Sequence, residues 1–324
     1  MHPSAGTGQP NQPDASGLEP AAAHEVLAAL KTLGYRFVAP TPSTHERVLR
    51  RRSQDQAHTI RDVLGWSLPF GPGVLPGPLL EALEAARALT SAEPERRARV
   101  RVSSLGGDLF FHAPFPPSAE DAVFFGPDTY RFARFLSQTI PDGLPVRRLI
   151  DVGTGSGAGA VVAARLSRPA IVTVTDITAH ALATAAINLR AAGVRAEMVL
   201  SDGLADVAGD ADLIIANPPF IAGAGGRTYR DGGDLHGAKR SLDWALAGAD
   251  RLTAGGRLIL YTGVAVVDGQ DQFERLLRNS VTSRGLTLDY QEIDPDIFGE
   301  MLGSTLYEDV ERIAAIGAIV KRPL

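Results

Sequence analysis

The stretch RRLIDVGTGSGAGAVVAARL, residues 147–166, joins a strand pattern to a helical one through a turn with three glycines in seven residues. RRLID (147–151) reads as a strand and AGAVVAARL (158–166) as a helix, which puts the turn DVGTGSG (151–157) at the carboxyl end of the strand. In an open α/β sheet that rim is where ligands bind, and glycine lets a ligand approach the backbone closely. The glycine spacing differs from the GxGxxG that cradles a dinucleotide pyrophosphate.

Working outward, strand patterns alternate with helical ones, the signature of a parallel sheet. AIVTVTD (170–176), AEMVLSD (196–202), DLIIANPPF (212–220) and GRLILYTG (256–263) read as strands. Between them, Thr178 is placed to N-cap a helix whose Leu182, Ala186 and Leu189 share one face and which Gly193 stops. SLDWALAGADRL and QDQFERLLRNS supply two further helices. LTLDYQEID and RIAAIGAIVKR follow each other with no helix between, so they are expected to pair antiparallel at one side of the sheet. Asp176 and Asp202 close the second and third strands, putting carboxylates along the same rim as Asp151; read singly, each is also an ordinary solvated strand end.

The fourth strand ends in Asn217-Pro218-Pro219-Phe220. Two prolines stop a strand, and Asn-Pro is a common turn opener. The same residues also suit a reaction at a planar NH2 group, whose lone pair is delocalised and weakly nucleophilic. The Asn217 side-chain oxygen and the Pro218 carbonyl can accept its two N–H bonds and stabilise charge developing on nitrogen, while Phe220 lies against the planar group.

Composition limits what the site can be. The 324 residues are long enough for about two domains. No cysteine is present, which excludes disulfides, thiolate nucleophiles and cysteine-bound zinc, and the seven histidines lack ligand spacing, so no metal is expected. No apolar run reaches the roughly 18 residues of a membrane span, and a cytoplasmic, membrane-free protein is expected. Residues 1–20 read as a disordered leader, 21–115 as a small helical domain with a β wing turning at Gly106-Gly107, and 116–324 as the α/β domain.

Together, DVGTGSG, the acid after the second strand, SDG and NPPF resemble the class I S-adenosylmethionine-dependent methyltransferases, in particular the amino-methylating group with an (D/N)PP(F/Y/W) motif. That group includes the release-factor glutamine N5-methyltransferases and the N-methyltransferases of ribosomal RNA and DNA bases. The resemblance covers about Phe124 to Arg322. It implies a Rossmann-like seven-stranded sheet whose last strand is antiparallel, and S-adenosylmethionine as cofactor. It further implies that Asp151, Gly153, Thr154, Gly155 and Gly157 surround the methionine part, that Asp176 holds the ribose, that Asp202 contacts the adenine, and that Asn217, Pro218 and Phe220 carry the chemistry. Asp128, Thr129 and Tyr130, in FFGPDTYRF (124–132), sit where the group often covers the cofactor; the same residues also read as a helix start with Pro127 at its first position. GAGGRTYRDGGDLHG (223–237) reads as a mobile lid in which Arg227, Tyr229, Arg230 and Asp231 touch the substrate.

The acceptor is expected to be an amide or amine of a protein, peptide or small molecule, of the glutamine type. A ribosomal RNA or DNA base is the alternative, and a non-catalytic cofactor- or nucleic-acid-binding protein a third. The glutamine-methylating enzymes tend to carry NPPY, where this chain has Phe220. Residues 21–110 hold 12 Lys+Arg and 9 Asp+Glu in a chain of net charge −5, so RVLRRR (47–52) and ERRARVR (95–101) are phosphate contacts on one reading and solvated faces on the other.

Overall fold

The computed structural model describes residues 17–52, 56–90, 95–117, 122–222 and 232–324. Helices α1 (Pro20–Thr32), α2 (Pro42–Arg51), α3 (Ile60–Leu64) and α4 (Gly77–Ala85) precede a hairpin of β1 (Arg101–Leu105) and β2 (Asp108–His112). Gly106 and Gly107 form its turn with φ of 58° and 90°, the pair of positive values that a two-residue hairpin turn requires. Leu18, within the stretch 1–20 read as a leader, is buried in the core, and the Glu19 carboxylate caps α1 by accepting from Ala21 and Ala22. Residues 1–16 lie outside the described residues.

The rest of the chain alternates. It runs through α5 (Pro127–Thr139), β3 (Arg148–Val152), α6 (Ala158–Ser167), β4 (Ile171–Asp176), α7 (Ala179–Ala191), β5 (Glu197–Leu200), β6 (Ala211–Ala216) and α8 (Lys239–Asp250). It continues with β7 (Leu252–Val267), the two-residue β8 (Gln270–Asp271), α9 (Gln272–Thr282), β9 (Thr287–Asp294) and β10 (Arg312–Lys321). The main sheet has the order β5-β4-β3-β6-β7-β10-β9, with β8 attached to the end of β7. Pairs from β5 to β7 are parallel, and β10 runs antiparallel to both β7 and β9.

The last two strands pair antiparallel as expected, and their order follows from their composition. β10 is apolar almost throughout and buried, whereas β9 alternates polar residues that remain exposed, so the later strand is enclosed and the earlier one forms the edge. The fifth strand is longer than 256–263, because β7 stays in register with β10 over ten pairs.

Thr178 caps α7 by accepting from the Ala181 N–H at 3.1 Å, and Gly193 past its end has a φ of 75°. Leu182 and Leu189 are buried on one face of α7 as expected, but Ala186 is only half-buried; Ala185 and Asn188 complete the buried face. Apolar side chains pack on both faces of the sheet. One face, with Ile150, Ile214, Leu258 and Leu260, is covered by α8 and α9; the other, with Leu149, Leu213 and Ile215, continues without a break into the N-terminal helices and hairpin.

Asn188 sits at that junction. Its Oδ1 accepts from the Phe111 N–H at 2.8 Å, and its Nδ2 donates to the Phe111 carbonyl at 3.0 Å and to the Ser156 carbonyl at 2.9 Å. A buried amide thereby ties the hairpin to the glycine turn. Beside it, Asp108 of β2 forms an ion pair with Arg165 of α6 and a second with Lys31 at 3.5 Å. Asn188→Ala leaves the Phe111 N–H and two carbonyls without these bonds in a closed interior, and it should destabilise the fold by about 2–4 kcal/mol. Urea unfolding measures this, and a loss under half a kcal/mol would show the bridge to be dispensable.

Candidate active site

Strand order reverses at β3, because the chain builds outward through β4 and β5 and then returns to place β6 on the other side of β3. The crevice beyond the carboxyl ends of β3 and β6 is therefore open, and a cavity lies there. Its walls come from the glycine turn, the ends of β4 and β6, the start of α5, and Arg240 and Trp244 of α8.

Three carboxylates line the cavity. Asp151 is fully buried, and one of its oxygens accepts from Thr154 Oγ1 at 2.7 Å and from the Ala160 N–H at 3.1 Å. Burial outweighs these bonds and pushes its carboxyl up to about 7. Asp176 accepts from the Gly155 N–H at 3.0 Å on one oxygen and from the Thr178 N–H at 3.1 Å on the other. The second oxygen also takes the Thr178 hydroxyl at 3.4 Å, the oxygen facing Gly155 keeps a further lone pair, and burial again raises the pKa. Asp128, at the first turn of α5, accepts from the Tyr261 hydroxyl at 2.7 Å and pairs with Arg131 at 3.2 Å; it is also raised, by burial first.

Gly155 has a φ of 53°, and a Cβ there would meet nothing within 4 Å, so its backbone faces open cavity. Gly153 is different, since a Cβ would lie 2.5 Å from the Trp244 ring. The same indole covers Gly203, where a Cβ would approach its Nε1 to 2.8 Å. Trp244 thus forms a wall over two glycine turns, and its position within SLDWALAGADRL gives no sign of this in one dimension.

Asn217, Pro218, Pro219 and Phe220 all line the cavity. The Asn217 side chain is half-buried and makes no hydrogen bond among the described residues. The Phe220 ring packs on the bare backbone of Gly263, where a Cβ would come within 2.4 Å, and meets Phe298 edge-on at 5.6 Å. After the motif, the Ala222 N–H donates to the Tyr307 hydroxyl at 2.8 Å, and that hydroxyl donates to the His236 carbonyl at 3.2 Å. The chain leaving the motif is held against the chain returning to it.

Several residues expected at the site lie elsewhere. Gly157 opens α6 away from the cavity, and its missing Cβ faces Leu189 and Ala185 of α7. Asp202 is exposed, pairs with Arg240 at 3.3 Å and lines a neighbouring depression, while Ser201 before it lines the cavity. The reason is that β5 ends at Leu200, so Ser201 turns inward and Asp202 outward. Asp128 and Thr129 do line the cavity, but the Tyr130 hydroxyl accepts from the Ala39 N–H at 3.1 Å in the N-terminal part. α5 begins with Pro127 at its first position, as the helix-start reading has it. Arg227, Tyr229, Arg230 and Asp231 lie outside the described residues.

Residues 120–243 match the methyltransferase small domain family. The release factor glutamine methyltransferase of Cereibacter sphaeroides is 32% identical over 228 residues, 65% of this chain and 80% of that protein. Ribosomal RNA small subunit methyltransferase C of Serratia proteamaculans is 38% identical over 76 residues, 24% of this chain and 22% of that one. This chain spans about a quarter of the length of the ribosomal RNA methyltransferases it matches. Among solved structures, wild-type Trm5b from Pyrococcus abyssi superposes with a TM-score of 0.50 at 12% identity, over 89% of this chain and 79% of that one, a likeness of fold alone. The chain belongs to the methyltransferase small domain type of class I S-adenosylmethionine-dependent methyltransferases.

The cavity suits that cofactor. Three carboxylates against a single cation, Arg240, on the cavity wall favour a ligand carrying an ammonium and a sulfonium, and the open Gly155 backbone beside Asp176 leaves room and an acceptor for a ribose diol. No helix among the described residues is long and apolar enough to cross a membrane, and none of their side chains cluster as a metal site.

Asp151 gives the site a pH signature. Its folded pKa of about 7 lies above the ordinary carboxylate value of 3.8. Between these values the folded chain holds a proton that the unfolded chain has released, so this group's contribution is fullest below the lower value and declines as pH rises to about 7. Asp151→Asn should therefore gain stability relative to wild type from pH 5 to pH 8, by roughly 2 kcal/mol. Parallel urea titrations measure the difference, and a flat one would contradict the buried, protonated carboxyl.

Proposed function

We propose that this protein transfers a methyl group from S-adenosylmethionine to the side-chain amide nitrogen of a glutamine in a polypeptide. The observation that carries this reading is Asn217, an amide at the wall of an acid-lined cavity whose hydrogen-bonding groups engage no other described residue. A structural turn opener would bond its own loop.

When bound, the cofactor supplies an electrophilic methyl group on a positively charged sulfur. The chain's residues do the rest. Asn217 Oδ1 and the Pro218 carbonyl accept the two N–H bonds of the incoming amide and draw its lone pair out of conjugation. The prolines at 218 and 219 have no N–H that could occupy those acceptors, and they stiffen the loop. Phe220, wedged between Gly263 and Phe298, offers the amide an apolar face. These residues would hold the amide nitrogen in line with the methyl group that the bound cofactor supplies and let its extra proton pass to water, so positioning supplies much of the acceleration.

The polypeptide acceptor is supported by the release factor relative, matched over 80% of its length where the ribosomal RNA relatives are matched over about a quarter. It is supported also by the fate of the basic runs. Arg52 is engaged by Asp62 and the Trp66 ring, Arg50 by Glu46, Arg96 by Glu84, Arg97 by the Ser67 carbonyl and Arg99 by the Arg87 carbonyl. Most of those cations are turned to internal work. In this reading residues 21–115 recognise the acceptor.

Incubating the protein with labelled cofactor and a cell extract should give label released by protease and not by RNase; release by RNase would reject the polypeptide. Asn217→Ala should bind the cofactor with unchanged affinity by calorimetry and transfer methyl about 10²–10³-fold more slowly. Wild-type activity in that variant would sink the acceptor mechanism.

A further inference from the structure

A second cleft adjoins the active site where the N-terminal part meets α5. The two hollows share Ala122, Val123 and Phe124 as a common wall, so an extended ligand lying in one reaches the other. Its lining is dominated by prolines, among them Pro40, Pro114, Pro117 and Pro127, together with Phe115 and Phe125. Such a surface has few backbone N–H groups of its own and favours an extended, apolar stretch of chain.

One charged residue faces this cleft, and its situation is unusual. Arg101 is 8% exposed, its Nε donates to the Ala113 carbonyl at 3.0 Å, and its Nη1 has no hydrogen-bond partner. Its guanidinium carbon stands 5.9 Å from the Phe115 ring centre, with the phenols of Tyr35 and Tyr130 nearby. Both phenols are committed, Tyr35 donating to the Val102 carbonyl and Tyr130 accepting from Ala39. The neighbouring imidazoles add no charge. His45 stacks on Phe115 at 4.0 Å and is held down to about 4, while His112 is held well below its ordinary value, in both cases by burial first and Arg101 second. Among the described residues Arg101 is thus a buried cation with a free donor and no ion-pair partner, and such groups normally neutralise or find a partner.

We propose that this cleft binds the acceptor polypeptide beside its reacting amide and that Arg101 receives an aspartate or glutamate side chain of that segment. The inference rests on the polypeptide reading above and deepens it, because it assigns the acceptor an acidic residue close to the methylated one. A guanidinium with an unengaged donor suits a carboxylate acceptor. A nucleic acid strand is disfavoured, since it would bring successive phosphates to a cleft with a single cation.

The test needs no catalysis and uses the full chain. A fluorescent peptide of alternating alanine and aspartate, the same peptide with asparagine, and a single-stranded RNA of equal length are titrated against wild type and Arg101→Met by anisotropy. The proposal expects the aspartate peptide to bind wild type at least tenfold more tightly than the asparagine peptide, with Arg101→Met erasing the difference. Arg101→Met should melt at or above the wild-type temperature, because an unpaired buried charge is replaced by an apolar chain of similar length. Equal binding of the two peptides, or a preference that survives in the variant, overturns the proposal. Tighter binding of RNA that is lost in the variant reassigns the cleft to phosphate and also overturns it. A variant that melts several degrees lower shows the guanidinium to be structural. Protease-released label together with equal peptide binding would reject this cleft while leaving the polypeptide reading intact.

Discussion

One buried side-chain amide fixes the relation on which the active site depends. Asn188 makes three hydrogen bonds, two to Phe111 of the hairpin and one to Ser156 inside the glycine turn. A turn with successive positive φ values at Gly153, Gly155 and Gly157 has several ways to collapse, and its Ser156 carbonyl would otherwise be free to rotate. The bond from α7 removes that freedom, and the hydroxyl of Thr175, reaching the Gly153 N–H from β4, reinforces it from the other side. The N-terminal part therefore shapes the cofactor turn as well as flanking it. The hairpin and the glycine turn are physically joined at one residue.

Charge is distributed with the same economy of position. The cavity at the strand ends is walled by Asp128, Asp151 and Asp176, and the adjoining cleft by Arg101. Two of these acids, Asp151 and Asp176, accept backbone N–H groups at a turn and a helix start, while burial raises the pKa of both. A cationic ligand in the cavity relieves the burial of those carboxylates, and an anionic one in the cleft relieves Arg101.

Much of this was legible in the sequence, and what was not has definite reasons. Parallel strands buried on both faces read as continuous apolar runs, which is why β3, β4 and β6 were found within a residue or two and the rim could be assigned. The hairpin was marked by its paired glycines, and α7 by its threonine cap. The sheet order beyond β7 depends on which strand buries more, a comparison between β9 and β10 that becomes decisive only once both compete for the same edge. Asn188 looked like a polar residue in a mostly apolar helix, because its three partners come from segments 32 and 77 residues away.

The site residues show the same divide between local and distant causes. Asn217 to Phe220 could be read because the strand places them at the rim and their chemistry is their own. Asp202 could not, since a strand ending two residues earlier turns the neighbouring Ser201 to the cavity and the acid to solvent. Gly153 carried two demands at once, a positive φ and room for Trp244, and only the first has a sequence signature. That doubling has a consequence for the cavity's shape. Because the indole from α8 closes over both Gly153 and Gly203, the wall beyond the ends of β3 and β5 is built by a side chain that arrives after the acceptor motif in the chain. The segment following NPPF must therefore return to bring α8 into place before the cavity has its roof. The bonds linking Ala222, Tyr307 and His236 hold that return against the motif itself.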